Sequence, residues 1–177
     1  MNTQANLGWK RWMGMLAVLA LAAGTLSGAA YLKFDGVDGE STAAGHEGEI
    51  DVLSWSWGVS NSGSSSGGGG RAVFQDITIS KPLDKSSPKL ALACASGKNV
   101  ESVMLTVRRP AGDSDPVWLT IELENVLVSS VQTAGSRGDP AGSESLSLNF
   151  EKIKITYVPQ SSGEPVVMTW DVVNNRE

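Results

Sequence analysis

Apolar and polar positions alternate with a period of two along most of the chain after residue 30, which predicts half-buried β-strands. Seven strand segments follow from this alternation, at residues 31–34, 52–59, 73–80, 102–107, 117–131, 145–158 and 166–173. In the second segment Leu53, Trp55, Trp57 and Val59 are predicted to share one face, and in the third Val73, Ile77 and Ile79 are predicted to face inward. Seven strands in a single domain predict a sandwich or a small barrel.

Two of the strand segments indicate how the sheets are arranged. In the segment 145–158, apolar residues occupy even positions up to Phe150 and odd positions from Ile153 onward. A change of phase of this kind predicts a β-bulge, or a strand that bends from one sheet into another. In the long segment 117–131, the residues predicted to share one face are Leu119, Ile121, Leu123 and Leu127.

One short helix is predicted between the third and fourth strands. Ser87 is expected at the N-cap and Pro88 in the first turn, because a serine hydroxyl satisfies a free backbone N–H there and proline has none to satisfy. Small and helix-favouring side chains extend the helix over residues 88–96, and Gly97 supplies a left-handed stop. These small side chains suit close packing against a sheet.

The first thirty residues have the character of a secretory signal peptide. Lys10 and Arg11 form a basic region, an apolar run follows at residues 13–23, and small residues come next. We predict cleavage after Ala29 or Ala30, which divides the chain into a signal peptide (residues 1–30) and one domain (residues 31–177). An uncleaved anchor is the alternative, but the apolar run is shorter than the ~20 residues that span a bilayer.

Composition and charge narrow the classes of function. The chain has 177 residues with 14 basic and 19 acidic side chains, a net charge of −5, one His and one Cys. One His and one Cys cannot form a catalytic zinc site without carboxylate ligands, and a lone thiol cannot close an intramolecular disulfide. Removing residues 1–30 takes away two basic side chains and leaves a net charge of −7, which disfavours nucleic-acid binding. Cys94 is expected to be buried.

Three local patterns resemble functional motifs but lack the necessary context. The Ser/Gly tract 60–71 lacks the Lys-Ser/Thr and helix of a phosphate-binding loop, so we expect a flexible loop or a contact arm. Residues 63–67 match Gly-x-Ser-x-Gly, but the only histidine, His46, precedes them, and we expect it to be exposed and not catalytic. Asp35, Asp38 and Glu40 lack the EF-hand spacing, and we expect a solvated turn there.

Two further pairs of residues leave alternatives open. Glu122 and Glu124 lie on one strand face, where they could flank a glycosidic bond or simply form the wet or intersubunit face of a half-buried strand. Trp55 and Trp57 also share a face, as a sugar-binding platform requires, but core aromatics explain them at least as well.

Several stretches of the chain resemble the Hcp (haemolysin-coregulated protein) family, the tube proteins of bacterial type VI secretion systems. The most specific stretch is residues 71–98, with the sequence RAVFQDITISKPLDKSSPKLALACASGK. Residues 31–41 (YLKFDGVDGES) and 50–60 (IDVLSWSWGVS) are similar to the early strands of that family. Residues 123–131 (LENVLVSSV) and 146–157 (LSLNFEKIKITY) are similar to its late strands.

The resemblance implies a mainly β fold, an Hcp-like β-barrel or two-sheet sandwich with one short helix, which assembles as a hexameric ring. Rings of this family stack into a tube, and their lumen can hold small effector proteins. A loop between the second and third strands of the family contacts adjacent subunits. In this chain that candidate contact loop contains Gly67, Gly68, Gly69, Gly70 and Arg71.

The residues and the resemblance together predict a non-enzymatic, ring-forming structural protein without a cofactor or metal. The signal peptide predicts export to the periplasm or the extracellular space, with no stable membrane anchor after cleavage. Expected partners are further copies of the chain, with small protein cargo or secretion components as additional candidates, and no nucleic acid. The alternative is an exported binding module for glycans or protein ligands on the same β fold.

Overall fold

The computed structural model describes residues 28–63, 70–110, 116–138, 141–161 and 163–177. Most of the predicted signal peptide, residues 1–27, lies outside the described residues. The described residues form these elements: β1 Ala30–Phe34, β2 Ile50–Val52, β3 Ser54–Ser56, β4 Val59–Asn61, β5 Ala72–Phe74, β6 Ile77–Pro82, α1 Ser87–Ser96, β7 Val100–Arg108, β8 Val117–Ala134, β9 Ser143–Asn149, β10 Lys152–Tyr157 and β11 Val166–Asp171.

Two antiparallel layers share the long strand β8 and enclose one core. The first layer has the order β2-β1-β7-β8-β10-β11, and the second has the order β8-β9-β6-β3. Buried residues from both layers, among them Leu32, Ile79 and Ile121, belong to one hydrophobic cluster. The predicted mainly β fold with one short helix is confirmed, and the layers form a sandwich rather than a closed barrel.

The 18-residue strand β8 passes from one layer to the other because its inward face changes along its length. Ile121 and Leu123 are buried in its first half and Val126 and Val128 in its second half, and Asn125 between them has a positive φ of 52°. The chain that pairs with β8 is interrupted opposite Asn125, where β9 ends and β10 begins. The predicted change of phase after Phe150 is therefore confirmed. Leu127 was predicted to share the face of Leu123, which is wrong because the change at Asn125 turns it outward.

The predicted second strand, residues 52–59, is divided into three short strands with different partners. Strand β2 pairs with β1, β3 pairs with β6, and β4 pairs with β5. The chain crosses between layers at Leu53, which is 63% exposed, whereas Trp55 and Trp57 pack against the core, so the predicted common face is wrong. Val59 is also exposed. Val73 is exposed, so its predicted inward orientation is wrong, whereas Ile77 and Ile79 are buried as predicted.

The helix α1 begins one residue earlier than predicted. Ser86, not Ser87, is the N-cap residue, and its side chain makes no capping hydrogen bond. Leu90 is the buried contact of the helix, and Cys94 is half-buried against the core. Gly97 ends the helix with a φ of 62°, as predicted.

Candidate functional site

Strands β4 and β5 form a separate two-stranded hairpin that stands apart from the main sheets. Val59 pairs with Phe74, and Asn61 pairs with Ala72. We call the described part of this hairpin, residues 59–63 and 70–74, the arm. Val59 and Val73 are 49% and 54% exposed, although valine favours burial on a sheet. The arm therefore presents apolar side chains that nothing in the described chain covers.

The described end of the arm is closed by an asparagine and a glycine. Asn61 Oδ1 accepts a hydrogen bond from Gly63 N at 2.7 Å, and Asn61 Nδ2 donates to Gly70 O at 3.3 Å. A Cβ at position 70 would lie 2.1 Å from Gly63 N, so only glycine fits there. Gly70 and the exposed Arg71 thus lie at the arm, while Gly67, Gly68 and Gly69 of the predicted contact loop lie outside the described residues.

The root of the arm is anchored in an aromatic cluster. Phe74 stacks parallel to Trp57 at a ring separation of 6.4 Å and lies 6.2 Å from Phe150 and 6.3 Å from Trp170. Such aromatic pairs contribute beyond simple burial of area. Trp55 and Trp57 pack against the core, so they do not form an open sugar-binding platform.

Hydrogen bonds hold the arm at two levels. At the root, Gln75 N donates to Gly58 O at 2.8 Å, and nearer the described end Ala72 N, opposite Asn61, donates to the side-chain Oδ1 of Asn175 at 3.1 Å. Asn175 belongs to the C-terminal turn, which is itself closed by hydrogen bonds between Asp171 and Arg176. The arm therefore has a fixed root and an exposed end.

The outer face of the first layer carries alternating charges. Lys154 Nζ lies 2.8 Å from Glu122 Oε1, and Lys152 Nζ lies 3.1 Å from Glu124 Oε2. These residues and Lys33 line a shallow cavity of about 340 Å³. Since each of the two carboxylates has a lysine partner, the arrangement is that of a wet sheet face rather than of a glycosidase pair.

A buried ionic cluster lies where β6 leads into the helix. Lys81 is fully buried, and its Nζ donates to Pro82 O at 2.8 Å, to Asp84 Oδ1 at 2.8 Å and to Ser87 Oγ at 3.1 Å. Burial opposes ionisation of Asp84, but the hydrogen bonds from Lys81 and Ser86 outweigh it and lower the pKa of that carboxyl. Glu144, the cross-strand neighbour of Lys81, is 2% exposed, and neither of its carboxylate oxygens has a partner.

The only histidine is not exposed, contrary to prediction. The His46 ring stacks on Tyr31 at 4.1 Å, and its Nδ1 lies 2.8 Å from Glu49 Oε2.

Asp35, Asp38 and Glu40 do not converge, and no group of three or more metal-ligating side chains occurs among the described residues. Within the same residues, no helix has the length and apolar character needed to cross a bilayer. The matched Gly-x-Ser-x-Gly string lies mostly outside the described residues.

The predicted cleavage residues lie against the sandwich. Ala30 is the first residue of β1 and pairs with Val107 on one side and Val52 on the other. Arg108 N donates to Ala29 O at 2.8 Å. A Cβ at Gly28 would lie 2.8 Å from Arg108 O, so the chain runs close to β7 before β1 begins.

Sequence reasoning missed the buried cluster and the anchoring of the arm. One signal was available for Lys81, because it stands two residues after Ile79 and so falls on the inward phase of β6. A charged residue on a core phase indicates a buried ionic partner. The contact of Asn175 with Ala72, and those of Asp76 with Ser129 and Asn149, are long-range and follow no local pattern.

Residues 31–157 match the family model described as type VI secretion system effector, Hcp. The chain belongs to the Hcp family. Protein hcp1 of Pseudomonas aeruginosa is 42% identical to it over 154 residues, which cover 82% of this chain and 95% of that protein. By sequence, the chain is therefore an Hcp protein of the type VI secretion system kind.

Solved Hcp structures have the same architecture. Hcp1 from Salmonella typhimurium superimposes with a TM-score of 0.74 at 30% identity, covering 85% of this chain and 98% of the other. A type VI secretion system effector from Yersinia pestis gives a TM-score of 0.69 at 31% identity, covering 81% and 99%. The predicted resemblance to the Hcp family is confirmed over nearly the whole described domain.

Proposed function

We propose that this Hcp protein is a non-enzymatic structural subunit that assembles into hexameric rings through contacts that include the arm. The observation that supports this proposal is the arm. Its root is fixed by aromatic and backbone contacts, while Val59 and Val73 remain uncovered. A rigid apolar projection on a monomer marks a protein–protein contact. A head-to-tail contact that repeats around a closed circle gives a ring.

Ring assembly is tested by size-exclusion chromatography with light scattering on the purified protein. We expect a mass close to six times that of the 18.6 kDa protomer. A monomer that persists at high concentration would contradict the proposal. The paired variant Val59→Ser/Val73→Ser should lower the assembled fraction, whereas Leu92→Ser on the exposed side of α1 serves as the matched control.

We further propose that the chain is exported and cut after Ala29 or Ala30, and that it acts in the periplasm or outside the cell. The basic and apolar pattern of residues 1–30 supports this proposal. N-terminal sequencing of protein from fractionated cells tests it: a chain that starts at Ala30 or Tyr31 in the periplasm is expected. An intact Met1 in the cytoplasm would contradict export and favour an ordinary tube subunit.

Small protein cargo and secretion components remain proposed partners of the ring. The alternative function, a glycan-binding module, is not favoured, because Trp55 and Trp57 pack against the core. Trp fluorescence that acrylamide quenches freely would reopen that alternative.

A further inference from the structure

Asp76 connects three segments of chain on the outer face of the second layer. It lies between β5 and β6, and its carboxylate accepts hydrogen bonds from Ser129 Oγ at 2.5 Å and from Asn149 Nδ2 at 2.9 Å. Ser129 belongs to β8 and Asn149 to β9. One side chain thus ties the segment after the arm to two strands of the sandwich.

The position of Ser129 in this network comes from a β-bulge. Val128 pairs with Leu148 and Ser130 with Ser147, which leaves Ser129 as the extra residue of β8. A bulge re-aims the extra side chain relative to the regular ladder. Here the hydroxyl of Ser129 reaches Asp76 and also lies 3.0 Å from Ser147 O.

Asp76 is also next to the hydrogen bond that joins the two strands of the arm at its root. Gln75 N donates to Gly58 O, and Asp76 follows Gln75 directly. The backbone between Phe74 and Ile77 therefore has the aromatic cluster on one side and the Asp76 network on the other. Fixing Asp76 fixes the direction in which the arm leaves the sandwich.

We infer that Asp76, Ser129 and Asn149 form a latch that positions the arm for contact with a second copy of this chain. The inference rests on the proposed function, in which the arm contacts a neighbouring subunit. It assigns Asp76 as a positioning residue, since its carboxylate acts on the arm through the backbone.

The latch is separable from the core of the sandwich. Strand β6 is held by its own ladder to β9, which runs from Ile77 opposite Leu148 to Pro82 opposite Ser143. Ile77 and Ile79 supply its buried contacts. Loss of the Asp76 carboxylate removes none of these interactions, so the sandwich should stay folded without it.

Hydrogen exchange on the full-length protein tests the latch directly. In Asp76→Ala, the amide of Gln75 is expected to exchange about ten-fold faster, because the arm root loses its hydrogen bonds to the sheet. Ser129→Ala removes one of the two hydrogen bonds to Asp76 and should give a smaller increase, and the double variant should exchange no faster than Asp76→Ala alone. Thr78→Ala, an exposed change two residues along β6, is the matched control and should leave the Gln75 amide unchanged.

The conservative variant Asp76→Asn separates hydrogen bonding from charge. Its amide oxygen can accept from Asn149, and its NH₂ can donate to Ser129 while the Ser129 hydroxyl donates to Ser147 O. We expect near wild-type exchange at Gln75. Exchange as fast as in Asp76→Ala would overturn a hydrogen-bonded latch.

Light scattering on the same variants distinguishes failure of the latch from failure of the proposed function. Unchanged exchange at Gln75 in Asp76→Ala overturns the latch, whatever the state of assembly. Faster exchange together with a reduced assembled fraction supports both proposals. Faster exchange with unaltered assembly supports the latch as an arm anchor and overturns its role in positioning the arm for a second copy.

Discussion

Lys81 shows how a single charged residue is made compatible with the core. It occupies an inward position of β6, where an apolar residue would be expected from the pattern of Ile77 and Ile79. Each of the three N–H groups of its ammonium has an acceptor, and Asp84 supplies the opposite charge. A buried charge is tolerated only when it is paired and hydrogen-bonded in this way.

Replacing Lys81 with Met should destabilise the protein strongly. The change leaves the Asp84 carboxylate without its cation, and breaking a buried pair costs about 3–5 kcal/mol. Equilibrium unfolding in urea measures the free energy of unfolding. Lys33→Met on the exposed face is the control and should change it by less than about 0.5 kcal/mol. Equal values for the two variants would contradict the assigned role of Lys81.

Replacing Glu144 should instead stabilise the protein. Its carboxylate is buried without a partner, and such a group costs about 1–3 kcal/mol. Glu144→Met keeps a side chain of similar size and should raise the free energy of unfolding. A loss of stability in urea unfolding would show that the carboxylate has a favourable partner in solution.

The pKa of Asp84 predicts where acid weakens the fold. Because this pKa is lowered in the folded protein, its contribution is complete above the unfolded value of about 3.9 and is lost as the pH falls through the folded value. Asp84→Asn should therefore reduce the steepness with which stability falls below about pH 4. Unfolding free energies measured between pH 5 and 2 check this, with Asp51→Asn as the exposed control. Parallel pH profiles would contradict the prediction.

At the scale of elements, β8 is the strand that determines the sandwich. Asn125 turns its inward face once, and the bulge at Ser129 turns it again, so that Val131 packs against the core after Val128. The same strand pairs with β7 and β10 in one layer and with β9 in the other. Two backbone irregularities are therefore sufficient to join the layers through one strand.

Substitutions at Asn125 should separate backbone conformation from side-chain chemistry. A positive φ costs about 1–2 kcal/mol for residues with a bulky Cβ, and β-branched residues are the least suited to it. We expect Asn125→Val to lower the free energy of unfolding by about that amount and Asn125→Gly to change it less. Thr133→Val on the same strand is the control. Both variants lose the hydrogen bond from Asn99 Nδ2 to Asn125 Oδ1, so an equal loss for Gly and Val would show that this bond matters more than the backbone.

The sequence predicted these elements unevenly, for physical reasons. The phase change after Phe150 was visible because inward and outward side chains differ strongly in polarity there. The turn at Asn125 was not, because Val126, Leu127 and Val128 are all apolar and fit either face. The arm was partly predictable from its Ser/Gly tract. The exposure of Val59 and Val73 was not, because alternating apolar and polar residues look the same whether the apolar side chains face a core or another molecule.

At the scale of the whole molecule, the sandwich buries its apolar residues well but leaves separate surfaces for partners. The arm carries exposed valines, and the outer face of the first layer carries paired charges. The Hcp fold itself was predictable from the specific stretch at residues 71–98. The latch was not, since Asp76, Ser129 and Asn149 are far apart in sequence and each is ordinary in its local pattern.

Truncation should show that β1 belongs to the folded unit from its first residue. A chain that starts at Ala30 keeps all of β1, and we expect it to unfold at the same urea concentration as the full-length protein. A chain that starts at Asp35 loses the buried Leu32 and Phe34, leaves β2 without a partner and leaves one edge of β7 unpaired, so it should not fold cooperatively. Equal midpoints for the two chains would contradict this expectation.

If the chain is processed as proposed, the close fit of residues 28–30 along β7 requires that cleavage come before folding of this segment. A protease that cuts after Ala29 must hold the chain on both sides of the bond in its own active site, but Arg108 and Val107 already occupy that backbone in the folded molecule. Cleavage of the proposed signal would have to precede docking of β1. Under the proposed export, the folding rate would decide the outcome: slow folding would allow cleavage, and fast folding would leave the chain uncut.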